Sequence, residues 1–332
     1  MPVVLACLVV AAPAWVEEIE RAMLAAGVPP KDTVVAFATT PAIESFAQQA
    51  TTGVSDAPGR ARKLYDAILA LKKSGAIAAD RDNSPKTRPP KTAAQLYAVA
   101  QGKEGDRKAG CYELSALFVA AARSVGLDAV GVERDEPEGT GQIGHVMAAV
   151  RASPAESLAI FDLQNESTGT RSRVRALSDL EMAAHHYNHL AVSAFLTGDM
   201  DAAQGAIDIA LRLAPAAPSF LNNRASVLLG QGEPVLALAE ALHAVELAPD
   251  VPLCRYQVGR LYLAGGEVGA AIAALSDALA LRPAYAVARR DRGWAYLVSG
   301  DLERAERDLE QALRDARDTP DGDLYLALFF AT

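Results

Sequence analysis

From Ala184 onward the small and apolar positions return with a step of thirty-four residues. Gly198, Gly232, Gly266 and Gly300 keep that step, and so do Ala203, Ala237, Ala271 and Ala305. Ala210, Ala244, Ala278 and Ala312 form a third series, and Pro215, Pro249 and Pro283 a fourth. Four series in phase predict a repeated unit: a helix, a glycine-containing turn, a second helix and a proline that ends it, with alanines where paired helices approach closely. Four units cover about Ala184 to Thr319. Three positions depart from the pattern. Arg224 and Arg292 stand where an apolar residue is expected, and Arg317 where the fourth unit would carry its proline. A stack of this kind must cover its last apolar face, and Asp323 to Phe330, beyond Pro320, is the segment suited to do so as a short capping helix.

Upstream the pattern changes. Ala61, Leu64, Ile68 and Leu71 fall at helical spacing within Arg60 to Lys73. Asp80 to Thr92, with Pro85, Pro89 and Pro90 among polar residues, reads as a loop or linker. From Gly110-Cys111 onward, Leu114, Leu117, Phe118, Ala121 and Val125 follow one helical face that Gly126 closes, which puts Cys111 in the first turn. Two short runs with strand character follow, His145 to Val150 and Leu158 to Leu163, with Asp162 near the end of the second. At the start of the chain, Val3 to Ala12 is an apolar run ending in Ala12-Pro13-Ala14. Two readings stand: an export signal over residues 1–14, or a buried first strand or helix. No Lys or Arg precedes the run, and it is too short to span a bilayer. Val4-Leu5-Ala6-Cys7 has the form of a lipoprotein processing box, but the six residues before Cys7 are too few to favour lipidation. No other segment reaches the length of a membrane helix.

Composition narrows the classes further. A chain of 332 residues suits two domains, and 51% hydrophobic with 22% charged residues excludes disorder as the main state. A net charge of -9 argues against nucleic acid as partner, because neutralising phosphates supplies most non-specific affinity. The cysteines Cys7, Cys111 and Cys254 are too scattered for a disulfide framework or a zinc site. Gly139, Gly141 and Gly144 precede a strand and not a helix, so they form no phosphate cradle and are read as a flexible loop beside His145. Glu181, His185 and His189 share a helical face. They open the first repeat, however, where Tyr187 and Leu190 take the packing positions, and the histidines are read as facing solvent or groove. No metal and no cofactor are expected.

Taken singly, a buried cysteine is a small core residue and a histidine at a strand start a hydrogen-bonded edge residue. Their order gives them a second reading. Cys111, His145 and Asp162 are separated by thirty-four and seventeen residues, which suits a helix packed on adjacent antiparallel strands. Only a thiolate attacks a carbonyl, and a helix N-terminus with a neighbouring imidazole favours that form. An acid behind the imidazole holds the ring and stabilises its charged state. Backbone N–H groups at the same helix start suit a developing oxyanion.

Gly110-Cys111, the helix ending Ala122-Arg123-Ser124-Val125-Gly126-Leu127, then Gly144-His145 and Phe161-Asp162 resemble the transglutaminase-like cysteine enzymes, a papain-like α+β fold. The resemblance covers about Lys91 to Glu166, with Arg60 to Lys73 as a preceding helix. It implies a Cys111, His145, Asp162 triad acting on an amide or related acyl bond through a thioester, with water or an amine as acceptor. The chain departs from the family at Val146-Met147 and Leu163-Gln164, where aromatic residues are usual. No tryptophan lies in the segment to complete an oxyanion hole, and Gln142 and Gln101 are the side-chain substitutes.

The thirty-four-residue units resemble tetratricopeptide repeats, an all-α solenoid whose first helices line a concave surface. That resemblance implies a protein or peptide partner in a groove lined by Asn188 and Val192, Asn222 and Ser226, Tyr256 and Arg260, and Arg290 and Trp294. The asparagines are expected to clamp a peptide backbone and the arginines to meet carboxylates. The expected organisation is a transglutaminase-like domain at 15–178 with its core at 60–166 and a repeat domain at 179–332, preceded at 1–14 by the candidate export signal. The enzyme reading stands beside two others, an inactive scaffold of the same fold and a cysteine peptidase. The location is periplasm or cell envelope if residues 1–14 are a signal, and cytoplasm otherwise.

Overall fold

The computed structural model describes residues 12–79, 88–134, 145–151, 158–169 and 174–317. Cys7 and nearly all of the candidate export signal, residues 80–87 of the proline-rich loop, the Gly139 to Gly144 segment with Gln142, and the expected capping segment Asp323 to Phe330 lie outside the described residues.

The N-terminal part opens with α1 (Ala14–Ala25), a 3-10 turn at Pro30–Asp32, α2 (Pro41–Thr51) and α3 (Ala57–Lys73). Thr40 and Asp56 cap α2 and α3, each followed by a proline in the first turn, where its missing N–H costs nothing. A two-residue strand β1 (Ala78–Ala79), α4 (Ala93–Ala100) and β2 (Lys108–Ala109), which pairs parallel with β1, lead to α5 (Cys111–Ser124). Then come β3 (Asp128–Arg134), β4 (Val146–Arg151), β5 (Ala159–Asp162), β6 (Ser167–Gly169) and β7 (Val174–Ala176), which form an antiparallel sheet in the order β6-β5-β4-β3-β7.

Helix α5 is the centre of this part. Every residue from Tyr112 to Ala122 is buried, between α2, α3 and α4 on one side and β3 and β4 on the other. The alanines at 120–122 let neighbours come close, and Phe118 stacks on Phe161 of β5 with ring centroids 5.0 Å apart. Alternation along β4 divides two cores. Val146, Ala148 and Val150 face α5, while Met147 and Ala149 join Val132 and Ile160 on the opposite face.

Four helix pairs follow: α6 (Asp179–Thr197) with α7 (Met200–Leu213), α8 (Pro218–Gly230) with α9 (Pro234–Leu247), α10 (Pro252–Ala264) with α11 (Val268–Leu281), and α12 (Ala286–Val298) with α13 (Leu302–Arg317). The turn glycine of each pair is left-handed, as at Gly266 with φ 78°, which L side chains adopt only at a cost. Gly259 serves a different need: a Cβ there would sit 2.6 Å from the Leu275 side chain of the partner helix.

The two arginines out of pattern each find an acid on the second helix of their own pair. Arg224 pairs with Glu240, and Arg292 grips Asp308 through two bonds of 2.7 and 2.9 Å. The first and third pairs carry Leu190 with Ala206 and Val258 with Ala274 at the same register. Apolar couple and ion pair thus alternate at one packing position.

The array is joined tightly to the sheet-bearing part. The core cluster runs without interruption from Val16 to Cys254, with α6 contributing Met182, Ala183, Ala184 and Tyr187. The Tyr187 hydroxyl donates to the Asp32 carbonyl and accepts from Val34 N–H at 2.9 Å, and Arg123 pairs with Asp179 at 2.6 Å. Among the described residues no helix is long and apolar enough to cross a membrane.

Because Arg292 and Asp308 are mostly buried, Arg292→Leu alone is expected to cost about 3 kcal/mol by leaving the Asp308 carboxylate with Arg289, 4.0 Å away, in place of two short bonds. The double change Arg292→Val with Asp308→Ala, which copies the third pair, should recover most of that loss. Urea melts of the three proteins check it.

Candidate active site

The start of α5 is held by a carboxylate three residues in. Glu113 reaches back to accept from Gly110 N–H at 2.6 Å and from Lys91 N–H at 3.1 Å, and Arg88 donates to both of its oxygens. Burial would raise the pKa of Glu113, but the bonds from Arg88, Gly110 and Lys91 hold it below the ordinary carboxylate range. Cys111 is therefore fixed as the first residue of the helix, partly exposed, where the first-turn N–H groups have no intrahelical acceptor.

The same helix is fastened to the strand that carries the histidine. Ser115 Oγ donates to the Val146 carbonyl at 3.1 Å, one residue past His145. Pairing of Ala148 with Phe161 sets β5 beside β4, so His145 Nε2 meets Asp162 Oδ2 at 3.1 Å. Both side chains are buried. Asn165 completes the arrangement: its backbone N–H donates to Asp162 Oδ1 and its Nδ2 to Oδ2, each at 3.0 Å. Lys72 steadies this turn by donating to the Leu163 carbonyl at 2.6 Å and pairing with Glu166, which is left-handed at φ 54°.

The electrostatics follow from these contacts. Burial works against a charged His145, but the bond to Asp162, then the bond and the charge of Cys111, outweigh it and carry the imidazolium to about 10. Asp162, also penalised by burial, is pulled below its ordinary value by His145 and Asn165. Cys111 and Asp162 thus both lie within reach of the His145 ring, whose Nε2 is turned to the acid. Gln101 is the exposed residue that ends α4.

Three groups escape a reading of the sequence. Glu113 has a visible signal, an acid three residues after a helix-starting glycine. Asn165 has a weaker one, an amide three residues after the acid it supports. The third is a ring cluster. Tyr112, next to Cys111 and fully buried, has His185, His186 and His189 of α6 around it, with centroids 6.4, 6.3 and 5.4 Å away. His185 does not face solvent or groove as its helical spacing suggests, because Tyr112 of α5 and Phe220 of α8 close over this side of α6. His185 is 4% exposed, and burial, ahead of the neighbouring positive charges, pushes it down to about 3 and His186 to about 4. Glu181 is occupied with Ser178 and Arg175. No three metal-ligating side chains gather among the described residues.

On the repeats, the lining residues divide into two kinds. Asn188 and Asn222 are buried in bonds between successive first helices: Asn223 donates to Asn188 at 2.7 Å, and Gln257 to Ser226 at 2.9 Å. Asn222 donates to Cys254 Sγ at 3.3 Å. The Tyr256 hydroxyl continues the series by donating to Asp291 at 3.0 Å, and Arg290 bonds the same aspartate. Arg260 and Trp294 are exposed, the indole to 57%. Val192 is half-buried.

Residues 189–252 and 262–328 each match a family model described as tetratricopeptide repeat. The C-terminal part carries tetratricopeptide repeats. Among solved structures, MamA 41-end from Desulfovibrio magneticus RS-1 is 20% identical over 41% of this chain and 77% of its own, with a TM-score of 0.37. YrrB, described as a TPR protein with an unusual peptide-binding site, is 23% identical over 45% of this chain and 78% of its own, TM-score 0.35. Pseudomonas aeruginosa PilF is 20% identical over 44% of this chain and 66% of its own, TM-score 0.40. No curated protein matches the chain.

Because His185 and His186 titrate near 6.5 when unfolded and much lower when folded, the stability they permit is complete above that value and is lost as pH falls. Between pH 7 and 5 each is expected to cost about 2 kcal/mol. Replacing both by Phe should flatten the acid limb of a stability profile measured by denaturant titration.

Proposed function

We propose that residues 15–178 form a thiol-dependent acyl-transfer unit of the transglutaminase-like, papain-like kind, and that the repeats from 179 hold a protein or peptide partner. The observation that carries the first half is the 3.1 Å contact of His145 with Asp162, with Cys111 against the same ring at the start of a buried helix. The repeats support the second half.

The geometry suits the following course. His145 takes the thiol proton, and the imidazolium is stabilised by Asp162. The thiolate attacks the acyl carbon of an amide, and the oxyanion meets first-turn N–H groups of α5. His145 then gives its proton to the leaving nitrogen as the C–N bond breaks, leaving a thioester on Cys111. Water or an amine, deprotonated by His145, attacks that thioester and restores the thiol. Water gives hydrolysis and an amine gives transfer.

A second reading has its own support. Every family match falls within the repeats, so the comparisons favour a protein-interaction scaffold and offer nothing for acyl chemistry. In that reading the N-terminal part keeps its fold without turnover. The partner class is the same in both, and Arg260 and Trp294 are the groove residues best placed to meet it.

An activated-carbonyl thiol probe at pH 6 separates the two. The acyl-transfer reading expects labelling at Cys111, absent in Cys111→Ala and slowed at least tenfold in His145→Ala. Cys254, 1% exposed and with its thiol pushed up by burial, should stay unlabelled. Labelling of Cys111 that ignores the histidine change leaves the scaffold as the function. For the groove, a partner recovered with the full chain should bind Arg260→Ala and Trp294→Ala about tenfold more weakly, as expected for loss of a charged hydrogen bond or an aromatic anchor. Affinities measured by calorimetry decide it.

A further inference from the structure

The run from Lys103 to Lys108 leads from the end of α4 into β2, and Cys111 follows three residues after Lys108. It holds three cations, Lys103, Arg107 and Lys108, and two acids, Glu104 and Asp106, all exposed. Asp106 is spent on the segment before α4. Its carboxylate accepts from Lys91 Nζ at 3.0 Å, lies 3.1 Å from Arg88 Nε, and also takes the Lys108 N–H at 3.0 Å. The cations of the run are left over: among the described residues the side chains of Lys103, Arg107 and Lys108 meet no acceptor.

Their backbone is held all the same. The Arg107 carbonyl accepts from Ala78 N–H at 2.8 Å, the Lys108 carbonyl accepts from Lys91 Nζ at 3.0 Å, and Lys108 pairs with Ala78 in the parallel ladder of β1 and β2. A fixed backbone bearing unoccupied side chains suits recognition, because little chain remains to be ordered when a ligand arrives. Position ties the strip to the thiol. Lys108 and Arg107 stand three and four residues before Cys111, so their backbones lie at most about 11 and about 14 Å from it. An extended substrate with its acyl carbon at the thiol advances about 3.3 Å per residue, which brings a side chain two or three residues away within reach of a long cationic one.

Charge selects the ligand. The chain has 41 acids to 32 lysines and arginines, and other arginines are occupied by carboxylates, as Arg123 is by Asp179 and Arg292 by Asp308. Three unmatched cations in one short run, with Glu104 alone against them, reverse the sign locally. A neutral substrate would gain nothing from them, and a basic one would be repelled. We propose that Lys103, Arg107 and Lys108 select an acidic peptide for Cys111, with Arg107 and Lys108 meeting carboxylates two or three residues from the acyl group. The acyl step in this proposal rests on the thiol reading; the binding does not.

The test has two arms, both on the full chain. In the first, three tripeptide probes ending in the same activated carbonyl carry two glutamates, two glutamines or two lysines, and labelling of Cys111 is timed by mass spectrometry. At about 30 mM salt the glutamate probe is expected to react at least fivefold faster than the glutamine probe, with the lysine probe slowest, and at about 0.5 M the spread should fall below twofold. Arg107→Gln with Lys108→Gln should erase the glutamate advantage, whereas Arg107→Lys with Lys108→Arg, which keeps both charges, should retain it. The second arm removes the chemistry: a fluorescent end-blocked pentapeptide with two glutamates, and its glutamine counterpart, are titrated onto Cys111→Ala by anisotropy. The acidic peptide should bind at least fivefold more tightly at the lower salt, lose that margin when Arg107→Gln and Lys108→Gln are added, and keep it when Arg260→Ala is added. That last variant separates the strip from the groove of the repeats. If Cys111 takes no probe while the second arm holds, the thiol reading fails and the acidic-peptide site stands. Equal rates or equal affinities for glutamate and glutamine overturn the proposal. So do rates that fall alike for all three probes in the Arg107→Gln, Lys108→Gln variant, which would put the pair's effect on the thiol, and a margin that moves with Arg260 alone.

Discussion

Helix α5 is buried along its length, and a helix packed on all sides has one permitted register. Its first residue is Cys111, its second touches the α6 histidines through Tyr112, and its fifth is bonded to the strand that follows His145. A slip of one residue would turn Glu113 away from Gly110 and bury it without Arg88, leaving a carboxylate in a dry site. That penalty, several kcal/mol for an unpaired buried charge, is what fixes the thiol relative to the imidazole. The same register presses Tyr112 into α6. The position of the first repeat and the geometry of the thiol site therefore share one cause.

Polar groups inside the repeat stack do related work. Asn223 with Asn188, Gln257 with Ser226, and Tyr256 with Asp291 join successive first helices, and each bond is directional where alanine packing is not. Such bonds add little net stability, about 1 kcal/mol each, but leaving one partner buried alone costs more. They discriminate against a stack that is out of step. The consequence for recognition is that the lining offers a ligand fewer free amides than its sequence suggests, and more from the exposed Arg260 and Trp294.

Much of this was legible in the sequence, for identifiable reasons. Glycine, alanine and proline series in phase define the helix pairs because a turn, a close contact and a helix stop each demand one residue type. The cysteine helix and the two strands were visible because their apolar periods differ. What was hidden depends on contacts between distant segments. Asn188 and His185 sit on a helix whose sides look alike in sequence, and only the packing of Asn223 against the one and of Tyr112 and Phe220 against the other decides which sides are dry. Arg224 and Arg292 look like defects until their acids, sixteen residues on, are seen at the same height. α1 and α2 carry no repeat and no chemistry, and their place against the core is set by packing alone.

Histidines of this chain show how far environment outruns residue type. His145, His185 and His186 are all buried, so desolvation opposes charge on each. At His145 a carboxylate bonds the ring and a thiol meets it, and the charged form wins. At His185 the closest carboxylate stands beyond hydrogen-bond reach and its positive neighbours repel, so the neutral form wins. The two outcomes bound the native state from opposite sides. A raised His145 supports folding fully below about 6.5 and loses that support as pH climbs toward 10, whereas the lowered pair supports it above about 6.5 and loses it on acidification. Since Tyr112 links the two sets through one turn of α5, protonating the α6 histidines loosens the junction and the thiol's helix together. Acid that still leaves Cys111 paired with a charged imidazole then acts on the site through packing rather than through its own titration.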